Sequence, residues 1–454
     1  MSQHPYATIG ELSLADRQPG VIRIPSEQDV PFTDRVRALV DTAEFQRLRN
    51  VTQLALASRV YPGATHTRFE HALGVYHNAL QYLWQLGRDP RFSAVVSPRE
   101  AEILIVAALL HDIGHWPFCH PIEDMELPGM PPHEAFAREF LSPGTELHGV
   151  LADVWNIDAE EVLDILVART DSPSYRLRRS ILSGPIDIDK MDYLSRDSRH
   201  CGVPYGKNFD RHRLINSLIV NESADGLAIT AKGKTAAEMM VFARYVMFTE
   251  VYWHHAVRSA TTMFARTFYE VHPQLDLAGL FRMTEPELIA VLIQAARGED
   301  VEQLSGGLFG RRRSLHKRLA EYSPLYGEDI YQAMRQLTYP ELVRCSDRLT
   351  ELLAEEFGIV LRRMDILVDA PPRHREVEFR VEMFVPAQQC YRPLRQVSPI
   401  VDAMARTQFD DNVKKVRIFA APEVRERLRK QADFGVRIDA AVRQLLAESG
   451  VQRQ

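Results

Sequence analysis

Residues 99–113 read REAEILIVAALLHDI, and Ile103–Leu110 within them form an unbroken apolar run. A helix that is apolar all round is a buried helix. The C-terminal end of this one delivers His111 and Asp112, so two polar groups arrive at the end of a core element. Burying them is costly without partners, which marks the helix end as a candidate site.

Residues of matching chemistry lie on both sides. Upstream is His66-Thr-Arg-Phe-Glu-His71. Immediately downstream come Gly114-His115, His120 and His133-Glu134, then the acidic segment Ile186-Asp-Ile-Asp-Lys-Met-Asp-Tyr193. Imidazole and carboxylate together suit Mn, Fe, Co, Ni or Zn, and carboxylate-rich versions admit Mg. Adjacent His and Asp on a helix project about 100° apart, so a metal reached by both needs further ligands from other helices. Positions left open would hold water or a phosphate oxygen. A lone His on an apolar face is more often a hydrogen-bonded core residue. The argument for a site therefore rests on the company His111-Asp112 keeps.

From Thr33, whose hydroxyl can cap a helix, to about residue 275 the pattern is mostly helical. Helices are expected at 68–87, 133–141, 159–169, 174–183 and 187–198, with two long ones within 233–274. Residues 1–32 read as a short strand or arm, and GLAITAK (226–232) as a small strand. GEDVEQLSGGLFG (298–310) reads as a loop, and 311–356 as a return to helical spacing. Near Gly358 the texture changes. IVLRRMDILVDA, REVEFRVEMFVPA and KKVRIFAAP are strand-like, and 422–448 is helical. The expected fold class is mainly α, with residues 1–356 forming the helical domain and its extension, and 357–454 a smaller α+β region.

The 454 residues have ordinary globular composition, with no stretch of ~18 apolar residues and no basic-then-apolar leader pattern. A cytoplasmic protein without a membrane span is expected. The net charge of −6 argues against a general nucleic-acid binder. Four cysteines, none in a CxxC pair, suggest neither a disulfide framework nor a structural zinc site.

With FQRLRNVTQL (45–54), YPGATHTRFEHALGV (61–75), LLHDIGHWPFCH (109–120), PHEA (132–135), DIDKMDYLSRD (187–197) and YWHHAVR (252–258) in this order, the sequence resembles the HD-domain phosphohydrolases. Within them it resembles the bacterial deoxynucleoside triphosphate triphosphohydrolases and the catalytic domain of the sterile-alpha-motif/HD proteins. The resemblance spans about residues 35–275, with a weaker match at 311–318. It implies His71, His111, Asp112 and Asp189 as ligands of a divalent metal, whether Mn, Fe, Mg or Ni. His66 falls outside that set and is expected to be structural. The resemblance also implies His115 and His133 beside the α-phosphate, His133 being the general acid. Glu123 would orient it, where the family has Asp. His120, Arg68 and Lys190 would hold phosphates. Gln53 and Asp197 would bind the 3′-hydroxyl, Tyr193 would exclude a 2′-hydroxyl, and Tyr252 and His254 would flank base and phosphates. His255 stands where relatives carry Lys.

The reaction so implied is attack of water on the α-phosphate of a dNTP, releasing deoxynucleoside and intact triphosphate. No GxxxxGK[ST] is present to suggest β–γ cleavage. The resemblance further implies a homo-oligomer, tetramer or dimer, and an activating nucleotide. Asp41, Gln46 and Arg49 match a guanine-nucleotide site, and Arg313 and Lys317 a second effector site. The segment Gly20–Pro25 lacks the lysine and aspartate of the regulated relatives. The competing readings are an HD phosphohydrolase of monophosphates or of cyclic or signalling nucleotides, and a non-catalytic nucleotide sensor.

Overall fold

The core helix runs Pro98–Leu110 in the computed structural model, which describes residues 4–13, 20–25, 29–167, 171–372, 381–406 and 413–448. Ser97 caps it in a capping box with Glu100, Pro98 occupies the first turn, and Ile103–Leu110 are all buried. His111 is its C-cap. The helix Arg68–Leu86 packs along it and carries His71. On the other side of that helix packs Ile188–His200, which carries Asp189 and starts at the N-cap Asp187. Further helices follow at His133–Phe140, Ala159–Val167 and Pro173–Ser183. Lys234–Met247 and His255–Val271 are the two long helices expected there, joined by a π-helical turn at Phe248–Tyr252. Helix Asp34–Val40 starts at Thr33, whose hydroxyl accepts from the Val36 backbone N–H.

Nine strands complete the described fold. The arm is a hairpin of β1 (Gly20–Ile22) and β2 (Val30–Phe32). A four-stranded sheet has the order β3 (Leu218–Val220), β4 (Leu227–Thr230), β7 (Glu382–Val385), β8 (Cys390–Pro393), with β4 and β7 parallel at Ile229↔Met383. A three-stranded sheet has the order β5 (Lys317–Tyr322), β9 (Val416–Ala420), β6 (Ile366–Asp369). The central β9 is buried along its whole length.

The molecule is mainly α with a C-terminal α+β region, as expected. Two local readings are corrected. Residues 298–310 are not all loop, because Glu302–Phe309 form a helix whose Leu304 and Leu308, one turn apart, bury against His255–Val271. Nor is 311–356 helical throughout. Lys317–Tyr322 is a strand paired with β9, and only Glu328–Met334 and Tyr339–Phe357 are helices. Residues 422–448 form two helices, Pro422–Arg429 and Phe434–Glu448. The strand-like segment at 375–380 lies outside the described residues.

One large hydrophobic core gathers the helices around the histidines. A second collects residues from Leu319 to Leu445, so elements on both sides of Gly358 share it. All four cysteines are unpaired. Among the described residues no helix is long and apolar enough to cross a membrane.

Candidate active site

Short backbone contacts set the geometry of the mouth. The Gln53 N–H donates to the His66 carbonyl (3.0 Å) and the Arg68 N–H to the Val51 carbonyl (2.9 Å). Glu285 pins this strip by accepting from the Thr52 N–H and hydroxyl. Gln53, His66 and Arg68 are thereby locked together, and the helix that Arg68 begins carries His71 one turn further on.

Four side chains from three elements converge there. His71 Nε2 lies 3.1 Å from His111 Nε2, 3.0 Å from Asp189 Oδ1 and 3.8 Å from Asp112 Oδ2. His111 Nε2 lies 3.4 Å from Asp112 Oδ1. The other ring nitrogens are already committed. His71 Nδ1 donates to Asp192 Oδ2 (2.7 Å) and His111 Nδ1 to the Ala108 carbonyl (2.9 Å). Both rings therefore aim Nε2 at one point, with carboxylates beside it. That arrangement is unfavourable without a cation, and it is the donor set of a divalent metal. Burial alone would hold the His71 pKa down. Hydrogen bonds to Asp189 and Asp192 outweigh it and push the value up to about 10, so positive charge is favoured here. Arg68 donates to Asp112 Oδ2 (2.7 Å). Burial opposes ionisation of Asp112, yet the charge of Arg68 keeps it well below the usual carboxylate range.

A second group faces the first across a cleft of about 270 Å³. His115, His120 and His133 line it, the His115 and His133 rings only 3.8 Å apart between centroids. Gly114 brings them together. A Cβ there would lie 2.1 Å from the His133 carbonyl oxygen and 2.6 Å from the Ala137 nitrogen, so only glycine lets the His133 helix approach. Glu123 accepts from both the His133 backbone N–H (2.7 Å) and its Nδ1 (2.9 Å), and lies 3.5 Å from His120 Nδ1. Burial works against ionisation of Glu123, but these contacts hold it well below the usual carboxylate range. Burial and the Arg68 charge keep His115 neutral. Arg47 anchors the connecting loop through the Ile113 and His115 carbonyls.

Gln53, with an unpartnered buried Oε1, and Tyr193 line the same cleft. Asp197 is buried and accepts from His66 Nε2 (2.8 Å) and the Tyr252 hydroxyl (2.7 Å). Lys190 does not line the cleft. Its Nζ turns to Asp187 (2.5 Å) and the Gly184 carbonyl (3.2 Å). His254 is also outside the cleft, next to His255 and 6.0 Å from the Tyr61 ring. Of the expected effector residues, Gln46 and Arg49 bond each other (2.6 Å), and the Arg49 guanidinium covers the Phe69 ring. Asp41 caps the preceding helix. Arg313 bonds the Arg59 carbonyl, and Lys317 is exposed at the start of β5.

Three residues in and beneath the cleft were not singled out from the sequence. Arg179 lines the cleft from helix Pro173–Ser183 while donating to the Ile165 carbonyl (2.9 Å). Asp192 and Arg196 are completely buried under His71. The i,i+4 spacing of that acid–base pair was the available signal, but such a pair usually reads as an exposed helix face.

A model of the HD domain matches residues 68–197, and a model of the HD associated region matches residues 209–445, more than half of the chain. The chain belongs to the HD-domain phosphohydrolase superfamily. It is a metal-dependent HD phosphohydrolase. An uncharacterized protein of Methanocaldococcus jannaschii is 29% identical over 445 residues, covering 95% of this chain and 88% of that one. The human deoxynucleoside triphosphate triphosphohydrolase SAMHD1 is 29% identical over 289 residues, 57% of this chain and 46% of the human protein. The Dictyostelium discoideum homolog of that enzyme is 30% identical over 263 residues, 56% and 49%. This HD phosphohydrolase thus spans about half the length of the triphosphohydrolases it matches. Among solved structures, a hypothetical protein from Aquifex aeolicus superposes with a TM-score of 0.66 at 26% identity, covering 90% of this chain and 98% of that one. A phosphohydrolase from Bacteroides thetaiotaomicron gives 0.63 at 22%, covering 88% and 100%, a likeness of fold.

Proposed function

We propose that this HD phosphohydrolase cleaves deoxynucleoside triphosphates at the α-phosphate, yielding deoxynucleoside and inorganic triphosphate. The carrying observation is one cleft that joins the His71–His111–Asp112–Asp189 cluster to His115 and His133 on one side and to Gln53 and Tyr193 on another. The related triphosphohydrolases support this choice of substrate. A divalent metal bound by the cluster supplies Lewis acidity at the reacting phosphate. Arg68 and the neutral His115 neutralise and orient phosphate oxygens. His133, its Nδ1 held by Glu123, presents Nε2 to the leaving 5′-oxygen and donates the proton it needs. His120 contacts phosphate from the rim, and Lys190 supports Asp187 unless triphosphate draws it in. Gln53 bonds the 3′-hydroxyl, with Asp197 fixing Tyr252 close by, and Tyr193 closes the space a 2′-hydroxyl would need.

Regulation belongs to the same proposal. The Asp41–Gln46–Arg49 patch and the Arg313/Lys317 patch receive activating nucleotides in a cytoplasmic homo-oligomer, tetramer or dimer. Arg49 on Phe69 links the first patch to the helix bearing His71.

The test is incubation with Mn²⁺ and each dNTP and rNTP, singly and in pairs, beside a His111→Ala/Asp112→Ala control and Tyr193→Ala. Turnover of dNTPs only, abolished in the control and extended to rNTPs by Tyr193→Ala, is the expected result. Turnover of nucleoside monophosphates or cyclic nucleotides alone would replace this substrate with another.

A further inference from the structure

Beneath the cleft, a chain of buried charges runs from His71 to the molecular surface. His71 Nδ1 meets Asp192 Oδ2 at 2.7 Å. Arg196 grips Asp192 with two parallel bonds, Nε to Oδ2 and Nη2 to Oδ1, both 2.7 Å. Its third arm, Nη1, reaches Glu70 Oε1 at 2.5 Å, and His200 Nε2 meets that same oxygen at 3.1 Å. Asp192 and Arg196 are 0% exposed, whereas Glu70 and His200 reach solvent at the outer end. His200 stacks on His66, the residue that holds Asp197.

Two facts separate this network from a generic buried ion pair. The sequence makes room for it. A Cβ on Gly74, one turn after His71, would fall 1.9 Å from Asp192 Oδ1 and 2.3 Å from Arg196 Nη2, so the pair can keep this position only beside a glycine. It also places an acceptor against the ring: Asp192 Oδ2 stands directly behind His71, 2.7 Å from Nδ1, and Arg196 holds that carboxylate through both oxygens. A carboxylate in that position fixes the imidazole tautomer, turns its other lone pair outward and raises its basicity as a ligand.

We infer that Asp192, held rigid by Arg196 and Glu70, is the positioning residue of the metal centre and acts through His71. The inference rests on the reading of His71 as a metal ligand, and on nothing about the nucleotide substrate. With its neighbours supplying donors to both oxygens, Asp192 cannot be replaced by an amide without setting one N–H against another.

The experiment is calorimetric titration of metal-free protein with Mn²⁺, for wild type, Asp192→Asn, His71→Ala and the double variant. Circular dichroism and melting of the metal-free forms are recorded alongside. Asp192→Asn should weaken Mn²⁺ binding about 10–100-fold. That effect should disappear in the His71→Ala background, because the route runs through that ring. Glu70→Gln, at the partly exposed end, should weaken binding in the same direction by a smaller factor, and carries the same comparison if Asp192→Asn does not fold. Unchanged Mn²⁺ affinity in a folded variant, or an equal loss with and without His71, would overturn the inference and assign the network to stability alone. A wild type that binds no Mn²⁺ would overturn the ligand reading itself.

Discussion

His133 reaches the Glu123 carboxylate from both ring and backbone: Nδ1 lies 2.9 Å from Oε1 and 3.0 Å from Oε2, and the backbone N–H donates to Oε1 at 2.7 Å. Glu123 thereby also fastens the first turn of the helix that presents His133. Replacing His133 by Ala should lower kcat by about 10²–10⁴, the usual worth of a positioned acid. Glu123→Gln keeps the size but loses acceptors, so it should fall part-way with KM nearly unchanged. Steady-state kinetics check this; wild-type kcat in Glu123→Gln would release His133 from the proton transfer.

Arg179 faces the cleft beside Arg68, whereas Lys190 turns to Asp187. A charge-assisted bond to a terminal phosphate predicts that Arg179→Ala raises KM for a triphosphate about tenfold or more. kcat should change little. Inhibition by added inorganic triphosphate should weaken in parallel, and an unchanged KM would confine Arg179 to capping the helix Ala159–Val167.

Gly114→Ala tests how tightly the two halves of the site meet. The new methyl group would press on backbone at 2.1 and 2.6 Å, which side-chain motion cannot relieve. A loss of about 1–3 kcal/mol in stability is expected, with a fall in kcat as His133 moves. Thermal melting beside kinetics reads both.

Glu321 gives the fold an acid-sensitive clamp. It accepts from Arg417, Lys415 and Arg318 at 2.8, 3.1 and 2.7 Å, joining β5 to β9 and its approach. Burial would raise its pKa, but these bonds lower it from 4.5 to about 2. A carboxylate whose folded pKa lies below its unfolded value stabilises fully above pH ~4.5 and loses that contribution as pH falls toward 2. Wild type should therefore be more stable than Glu321→Gln at neutral pH, and the gap should close across that window in denaturant titrations. A gap independent of pH would contradict the assignment.

Much of this was legible in advance where the signal is local. The apolar run before His111 announces a buried helix, and Ser97 with Glu100 closes it as the capping pattern requires. The helix under Leu304 and Leu308 was hidden by Ser305-Gly306-Gly307, which reads as a turn until tertiary packing pays for it. Strand β5 was invisible because its partner, Val416–Ala420, lies about a hundred residues away and no local period encodes that pairing. In the site, His71, His111, Asp112 and Asp189 stand in recognisable motifs. Asp192 and Arg196 stand in the same DIDKMDYLSRD stretch, but no role follows for them from sequence, since only the tertiary fold turns an ordinary i,i+4 pair inward. The contact of Lys190 with Asp187 was not legible either, because it depends on the burial of Asp187 at the start of the helix.

The central claim is that water attacks the α-phosphate, and hydrolysis of a dNTP in ¹⁸O-labelled water tests it most directly. Mass spectrometry of the products should find one ¹⁸O in intact inorganic triphosphate and none in the deoxynucleoside. Label in the deoxynucleoside, or pyrophosphate or orthophosphate as the first product, would contradict it.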